Sequence, residues 1–223
     1  MKTIVLLAAL CMTLAWPAFA EEQHQHRRPD DIKQYLEHLD STERDRYQMP
    51  SEVVEVLKVK PGMAVADLGS GSGYFTRRFV EALTETGMVY AVDVEPEMLA
   101  YAKESVIHMH VGYSAEFILA QPDNPKLPYE SVDLLFVCNT IHHLEDCATY
   151  FRNLKSSLKP AARIAFVDFY PDERSGNLGF PKHHLVSRDT VIAEMTAAGY
   201  QLAREHSFLP KQYFLEFVVK YFR

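Results

Sequence analysis

Val65-Ala66-Asp67-Leu68-Gly69-Ser70-Gly71-Ser72-Gly73-Tyr74-Phe75-Thr76 is the stretch that decides the fold of this chain. A short apolar strand runs into an acid, then into a loop with glycine at every second position, then into the start of a helix. The glycines let the backbone turn sharply and leave no Cβ between it and a ligand. The helix start turns its unpaired N–H groups into the same space. Twenty residues after Gly73, Asp93 closes a second apolar run, Met88-Val89-Tyr90-Ala91-Val92. A carboxylate at that place can accept both hydroxyls of a ribose. The pattern is that of a crevice for a nucleoside.

Outward from this stretch the chain alternates strand and helix. Strands are predicted at 63–68, 88–92, 107–111, 132–138 and 162–168, and helices at 74–85, 96–104, 146–158 and 187–198. The strands are almost continuously apolar, as expected when helices cover both faces of a sheet. Such alternation predicts an α/β, Rossmann-like, doubly wound sheet. Beyond Gly199, Tyr200–Ser207 and Gln212–Val219 read as an antiparallel hairpin, giving seven mostly parallel strands. Upstream, Ile32, Tyr35, Leu36 and Leu39 share one helical face. Ser41 is placed to cap a short helix through Arg46, and Pro50 to open another. Residues 31–60 are thus expected to form a helical cap on a single domain spanning 31–223, with Arg44, Arg46, Tyr47 and Gln48 closing over the ligand.

The first twenty residues read as an export signal. Lys2 supplies the positive start, Ile4 to Leu14 the apolar run, and Ala18-Phe19-Ala20 the cleavage site. The run is too short for a spanning helix, so no stable membrane insertion is expected after cleavage, and the mature chain is expected to be periplasmic or secreted. Residues 21–30 are polar and read as a flexible tail; His24 and His26 within it are not spaced as a metal site. Lys2 is the one charge removed, so the formal net charge moves from −7 to −8. An acidic chain carries no electrostatic footprint for nucleic acid. Cys138 and Cys147 read as two unpaired, buried thiols, and no metal-type cysteine spacing is present.

The glycine loop does not fit the dinucleotide spacing in either frame, because Tyr74 or Thr76 falls where the last glycine belongs. A phosphate P-loop is excluded by the lack of Gly-Lys-Ser/Thr. Three blocks in order carry a different likeness: Val65 to Gly73; Ala91-Val92-Asp93-Val94-Glu95-Pro96-Glu97-Met98-Leu99; and Ser131 to Leu144, followed by Leu158 to Ile164. In these blocks the chain resembles the class I S-adenosylmethionine-dependent methyltransferases over about residues 45 to 220.

The resemblance implies S-adenosyl-L-methionine as cofactor, held by Asp67, Gly69, Ser70, Gly71 and Gly73 at its methionine end, by Asp93 at the ribose and by Val94 at the adenine. Asn139 would sit near the methionine moiety. Family members commonly carry Gly-Asp after the third strand to meet the adenine amino group; here the aligned residues are Gly112-Tyr113-Ser114, and backbone groups or Ser114 would take the place of the acid. His142 and His143, after the fourth strand, are the candidate catalytic bases. Tyr170, His183 and His184, on the loop after the fifth strand, are the candidate contacts to a small-molecule methyl acceptor. Two other readings stay open at this point. An exported protein lacks an evident supply of a cytoplasmic, charged cofactor, which motivates a binding or sensing protein without turnover. A nicotinamide-dependent oxidoreductase is the weaker rival.

Overall fold

The computed structural model describes residues 32–109, 114–177 and 182–220. Residues 1–20, read above as an export signal, residues 21–30 with His24 and His26, and Gly112 and Tyr113 lie outside these residues. Three short helices come first: α1 (Ile32–Leu39), α2 (Thr42–Gln48) and α3 (Pro50–Val56). The Ser41 side chain accepts from the Glu43 amide at the head of α2, and Pro50 opens α3 where a missing N–H costs nothing. Then follow β1 (Ala64–Leu68), α4 (Tyr74–Leu83), β2 (Met88–Asp93), α5 (Pro96–Ile107), β3 (Ala115–Leu119), β4 (Val132–Cys138), α6 (Cys147–Leu154), β5 (Leu158–Phe169), α7 (Arg188–Ala197), β6 (Tyr200–His206) and β7 (Gln212–Val219).

The strands form one seven-stranded sheet in the order β3-β2-β1-β4-β5-β7-β6. Only β7 is antiparallel to its neighbours. The sheet is the doubly wound, mostly parallel arrangement with a C-terminal hairpin that the alternation implies. The chain winds outward from β1 to β3, then returns to place β4 on the other side of β1. That reversal opens a gap beyond the carboxyl ends of β1 and β4, where the connecting segments diverge.

Both faces of the sheet are covered. On one, Phe75 and Phe79 of α4 meet Phe136 of β4 at ring distances of 4.6 and 5.2 Å, with Val53 and Leu57 beside them. On the other, Phe151 of α6 and Val191 and Met195 of α7 pack with Phe166 and Phe217. β1 is buried along its whole length, which is why it reads as an unbroken apolar run.

One predicted element is misplaced. The third strand, expected at 107–111, runs Ala115–Leu119, while Ile107 ends α5. Ile107, Met109 and Val111 alternate like a strand, but Met98, Leu99, Ala102 and Val106 bury one helical face and carry α5 through to Ile107. The true β3 is an edge strand of mixed burial, so its own pattern is weak.

Among the described residues, no helix is long and apolar enough to cross a membrane. Cys138 and Cys147 are both free and buried.

Candidate functional site

At the gap beside β1 lies a crevice of about 430 Å³, within the range of small-molecule sites. Its floor is the glycine loop. The Gly69 and Ser70 amides both donate to the Val92 carbonyl, at 2.8 and 3.0 Å, which ties the end of β1 to the end of β2. Gly69 lies at φ 73°, and a Cβ there would come within 2.2 Å of the Thr140 hydroxyl. Only glycine lets the loop pass so close to the chain leaving β4.

Asp93 lines the same crevice. One of its carboxylate oxygens accepts from the Gly71 amide at 2.8 Å and the other from the Glu95 amide at 3.0 Å. Two backbone donors therefore fix the carboxylate's orientation at the mouth of β2. Ser70 also lines the crevice, and among the described residues its hydroxyl is the one buried side-chain nitrogen or oxygen without a hydrogen-bond partner. A buried hydroxyl left unpaired costs on the order of 1–3 kcal/mol and marks a place for a ligand's polar group.

The helical cap forms another wall through Tyr35, Leu39 and Arg44. Arg44 is 9% exposed. Its guanidinium lies 3.9 Å from the Tyr74 ring centroid and donates to Gln48 and to the Leu39 carbonyl. Among the described residues it forms no ion pair with a carboxylate. A largely buried cation without a counter-ion is suited to an anionic group of a ligand.

Behind it a buried amide ring links three parts of the chain. Gln48 of α2 donates to Gln212 of β7 at 2.8 Å, Gln212 donates to Asn139 at 2.7 Å, and Asn139 returns to Gln48 at 3.5 Å. Asn139 lines the crevice in a left-handed conformation, φ 52°.

The structure thus brings together Gly69, Ser70, Gly71, Asp93, Val94, Asn139 and His143 around one crevice. Other expected residues stand elsewhere. Asp67 is buried beneath the loop, where its carboxylate accepts from the Thr76 hydroxyl at 2.6 Å and anchors the first turn of α4. Burial pushes its carboxyl up to about 6, against the opposing pull of that hydrogen bond and the Arg44 charge. Gly73 caps α4, and its missing Cβ makes room for Ala102 of α5, 2.9 Å from where it would lie. Its reason is helix packing.

Ser114 is at the wrong end of the sheet. It precedes β3, and its carbonyl accepts from Val89 near the start of β2. The displaced third strand is the cause. Ala120, Gln121 and Pro122 follow the true β3 and line the crevice instead. Tyr170, His183 and His184 do not reach it either. Tyr170 packs on Tyr213 beneath Arg174, and the two histidines are exposed on a short 3-10 turn. Of the expected closing residues, Arg46 is exposed and pairs with Glu43, and Tyr47 packs on Phe169.

Comparison with known proteins agrees with this geometry. The family model described as a methyltransferase domain matches residues 65–161. A crystal structure of an S-adenosylmethionine-dependent methyltransferase from Aquifex aeolicus superposes with a TM-score of 0.77 at 27% identity, covering 85% of this chain and 98% of that one. The ubiquinone/menaquinone biosynthesis C-methyltransferase UbiE of Ectopseudomonas mendocina is 29% identical over 121 residues, 52% of this chain and 45% of the relative. Phosphoethanolamine N-methyltransferase 1 of Arabidopsis thaliana is 27% identical over 155 residues, 68% of this chain and 30% of the relative. The chain therefore spans less than half the length of these curated relatives. Over these residues and in its fold the chain is similar to the S-adenosylmethionine-dependent methyltransferases, and the comparisons support S-adenosylmethionine as its cofactor.

The Asp67 environment has a consequence for stability. Its folded-state value, about 6, stands above the ordinary 3.8, so the folded chain keeps a proton that the unfolded chain releases. The stability this contributes is present below about pH 4 and is lost as pH rises through about 6. Asp67→Asn should remove that loss. Denaturant titrations from pH 4 to 7 should show the variant gaining on the parent by on the order of 1–3 kcal/mol across this window. Parallel stability curves would contradict the assignment.

Proposed function

We propose that this chain transfers the methyl group of S-adenosylmethionine to a small-molecule acceptor by in-line displacement. One observation carries the reading: the crevice sets a backbone-held carboxylate, Asp93, with a buried guanidinium, Arg44, that forms no ion pair with a carboxylate among the described residues. The bound cofactor would supply a methyl carbon made electrophilic by its sulfonium. Asp93 accepts the ribose hydroxyls, and Arg44 takes the carboxylate of the methionine end. The Gly69–Gly71 loop gives close backbone approach, and Ser70 offers its unpartnered hydroxyl. Val94 and Met98 supply an apolar surface for the adenine. Gln121 takes the place foreseen for Ser114, its amide offering both a donor and an acceptor to the adenine edge. Asp67 acts from beneath, through Thr76, by holding the start of α4.

The chain's work is placement. Asn139 and His143 line the crevice where the chain leaves β4, and would flank an acceptor brought up to the methyl group there. Bringing a nucleophile to about 3 Å in line with the leaving group supplies much of the acceleration in such a displacement. The two kinds of curated relative are named for a carbon and a nitrogen acceptor, so the family does not fix the acceptor atom. An acidic chain of this size suits a small molecule better than nucleic acid. Export through residues 1–20 belongs to the same proposal, with the mature chain starting at Glu21.

Titration calorimetry tests the cofactor site. The parent should bind S-adenosylmethionine, and Asp93→Ala and Arg44→Gln should each weaken binding by roughly 1–3 kcal/mol. Unchanged affinity in both variants would remove the assignment. Export is tested by expressing the full chain and sequencing its amino terminus from the extracytoplasmic fraction. Glu21 is the expected first residue; recovery only in the cytoplasm, with residues 1–20 intact, would contradict it.

A further inference from the structure

Next to the crevice, a buried carboxylate has an imidazole as its side-chain partner. Asp168 stands at the carboxyl end of β5 and is 1% exposed. One carboxylate oxygen accepts from the Phe169 amide at 2.7 Å. The other lies 3.2 Å from Nδ1 of His142. Among the described residues the Asp168 carboxylate has no further hydrogen-bond or ion-pair partner. A carboxylate so deeply buried needs a donor, which puts the proton on Nδ1 and the basic lone pair on Nε2. His142 belongs to the turn that follows Asn139 and Thr140, and its ring lies 4.2 Å from that of His143, which lines the crevice. The pair therefore sits on the β5 side of the site, at the carboxyl ends of the strands. Ala120, Gln121 and Pro122, which follow β3, sit beyond β2 on the opposite side of β1.

Resting on the methyl-transfer reading above, we propose that His142, oriented by Asp168, removes the proton of a hydroxyl acceptor, so that the substrates of this chain are phenol-type small molecules. A neutral amine attacks with its own lone pair, and a thiol ionises readily. A phenolic hydroxyl is a weak nucleophile until its proton leaves. In the step, the hydroxyl proton passes to Nε2 and the oxygen pair forms the new C–O bond. The pair of the broken C–S bond stays on sulfur. The Asp168 carboxylate stabilises the imidazolium, which then releases its proton to water. Cys138 and Tyr213 lie within the electrostatic reach of Asp168, and His143 lies against His142. Burial pushes the Cys138 thiol up to about 12 and the Tyr213 phenol higher still, so both remain neutral around the pair. Asp168 is a positioning residue here; His142 is the group that touches substrate.

The test uses the full chain, His142→Gln and Asp168→Asn, with phenol, catechol and 4-nitrophenol set against aniline and thiophenol. Calorimetry with S-adenosylmethionine comes first, and both variants should bind it within about twofold of the parent; no binding by the parent would sink the methyl-transfer reading itself. With binding intact, formation of S-adenosylhomocysteine should require the hydroxyl acceptors. His142→Gln should lose about a hundredfold or more with catechol. It should lose less with the more acidic 4-nitrophenol, and the acid limb of the parent's pH–rate profile should vanish. Nitrogen-15 spectra of the imidazoles should show His142 as the Nδ1–H tautomer in the parent and not in Asp168→Asn. Any one of three results would overturn the inference while leaving the cofactor site standing: the Nε2–H tautomer in the parent, an unchanged profile in His142→Gln, or turnover with none of the phenols.

Discussion

The end of β1 and the end of β2 are tied by three backbone amides. Gly69 and Ser70 share the Val92 carbonyl, and Gly71 donates to the Asp93 carboxylate. The rest of the site depends on this knot. Without it the loop would be free to rise into the gap that the reversal of strand order leaves between β1 and β4. With it, Gly69, Ser70, Gly71 and Ser72 line the crevice, and Asp93 is aimed by the same amide that it holds. The buried Asp67 secures the knot from below through Thr76. Two acids that the sequence sets in parallel thus do different work, one inside the protein and one facing the crevice.

The helical cap is fixed to this knot by charge and by amides. Asp40, just after α1, accepts from Ser72 in the loop and from Arg77 and Tyr101 on α4 and α5. Asp45 of α2 meets Tyr74 and Arg78. The Gln48–Gln212–Asn139 ring joins α2 to the C-terminal hairpin and to the end of β4. Buried amides are costly unless all are satisfied, and a closed ring satisfies them mutually. It also holds Asn139 in the left-handed region, which a non-glycine residue does not keep without support. Cap, loop and hairpin therefore form one wall, and Arg44 stands in it.

Much of this was legible in the sequence for a physical reason. Buried parallel strands must be apolar along their whole length, so β1, β2 and β4 announce themselves, as do Ser41 and Pro50 at helix starts. The hairpin was legible from its strand runs around Leu209-Pro210-Lys211. The edge strand β3 was not, because one of its faces is wet and the end of α5 also alternates. That single slip put Ser114 at the place in the crevice that Gln121 lines. Glycine spacing could not separate close passage against Thr140 at Gly69 from helix packing at Gly73, because both demand a missing Cβ. The Asp168–His142 contact joins residues 26 apart in sequence on adjacent strand ends, and no local pattern encodes it.

The central claim is that the tied loop between β1 and β2 receives an adenosine-bearing cofactor. Amide nitrogen–proton spectra recorded during titration with S-adenosylhomocysteine address it most directly. The largest shifts should fall at Gly69, Ser70, Gly71, Val94 and Gln121. Shifts gathered on the β6–β7 hairpin, or none at saturating ligand, would contradict it.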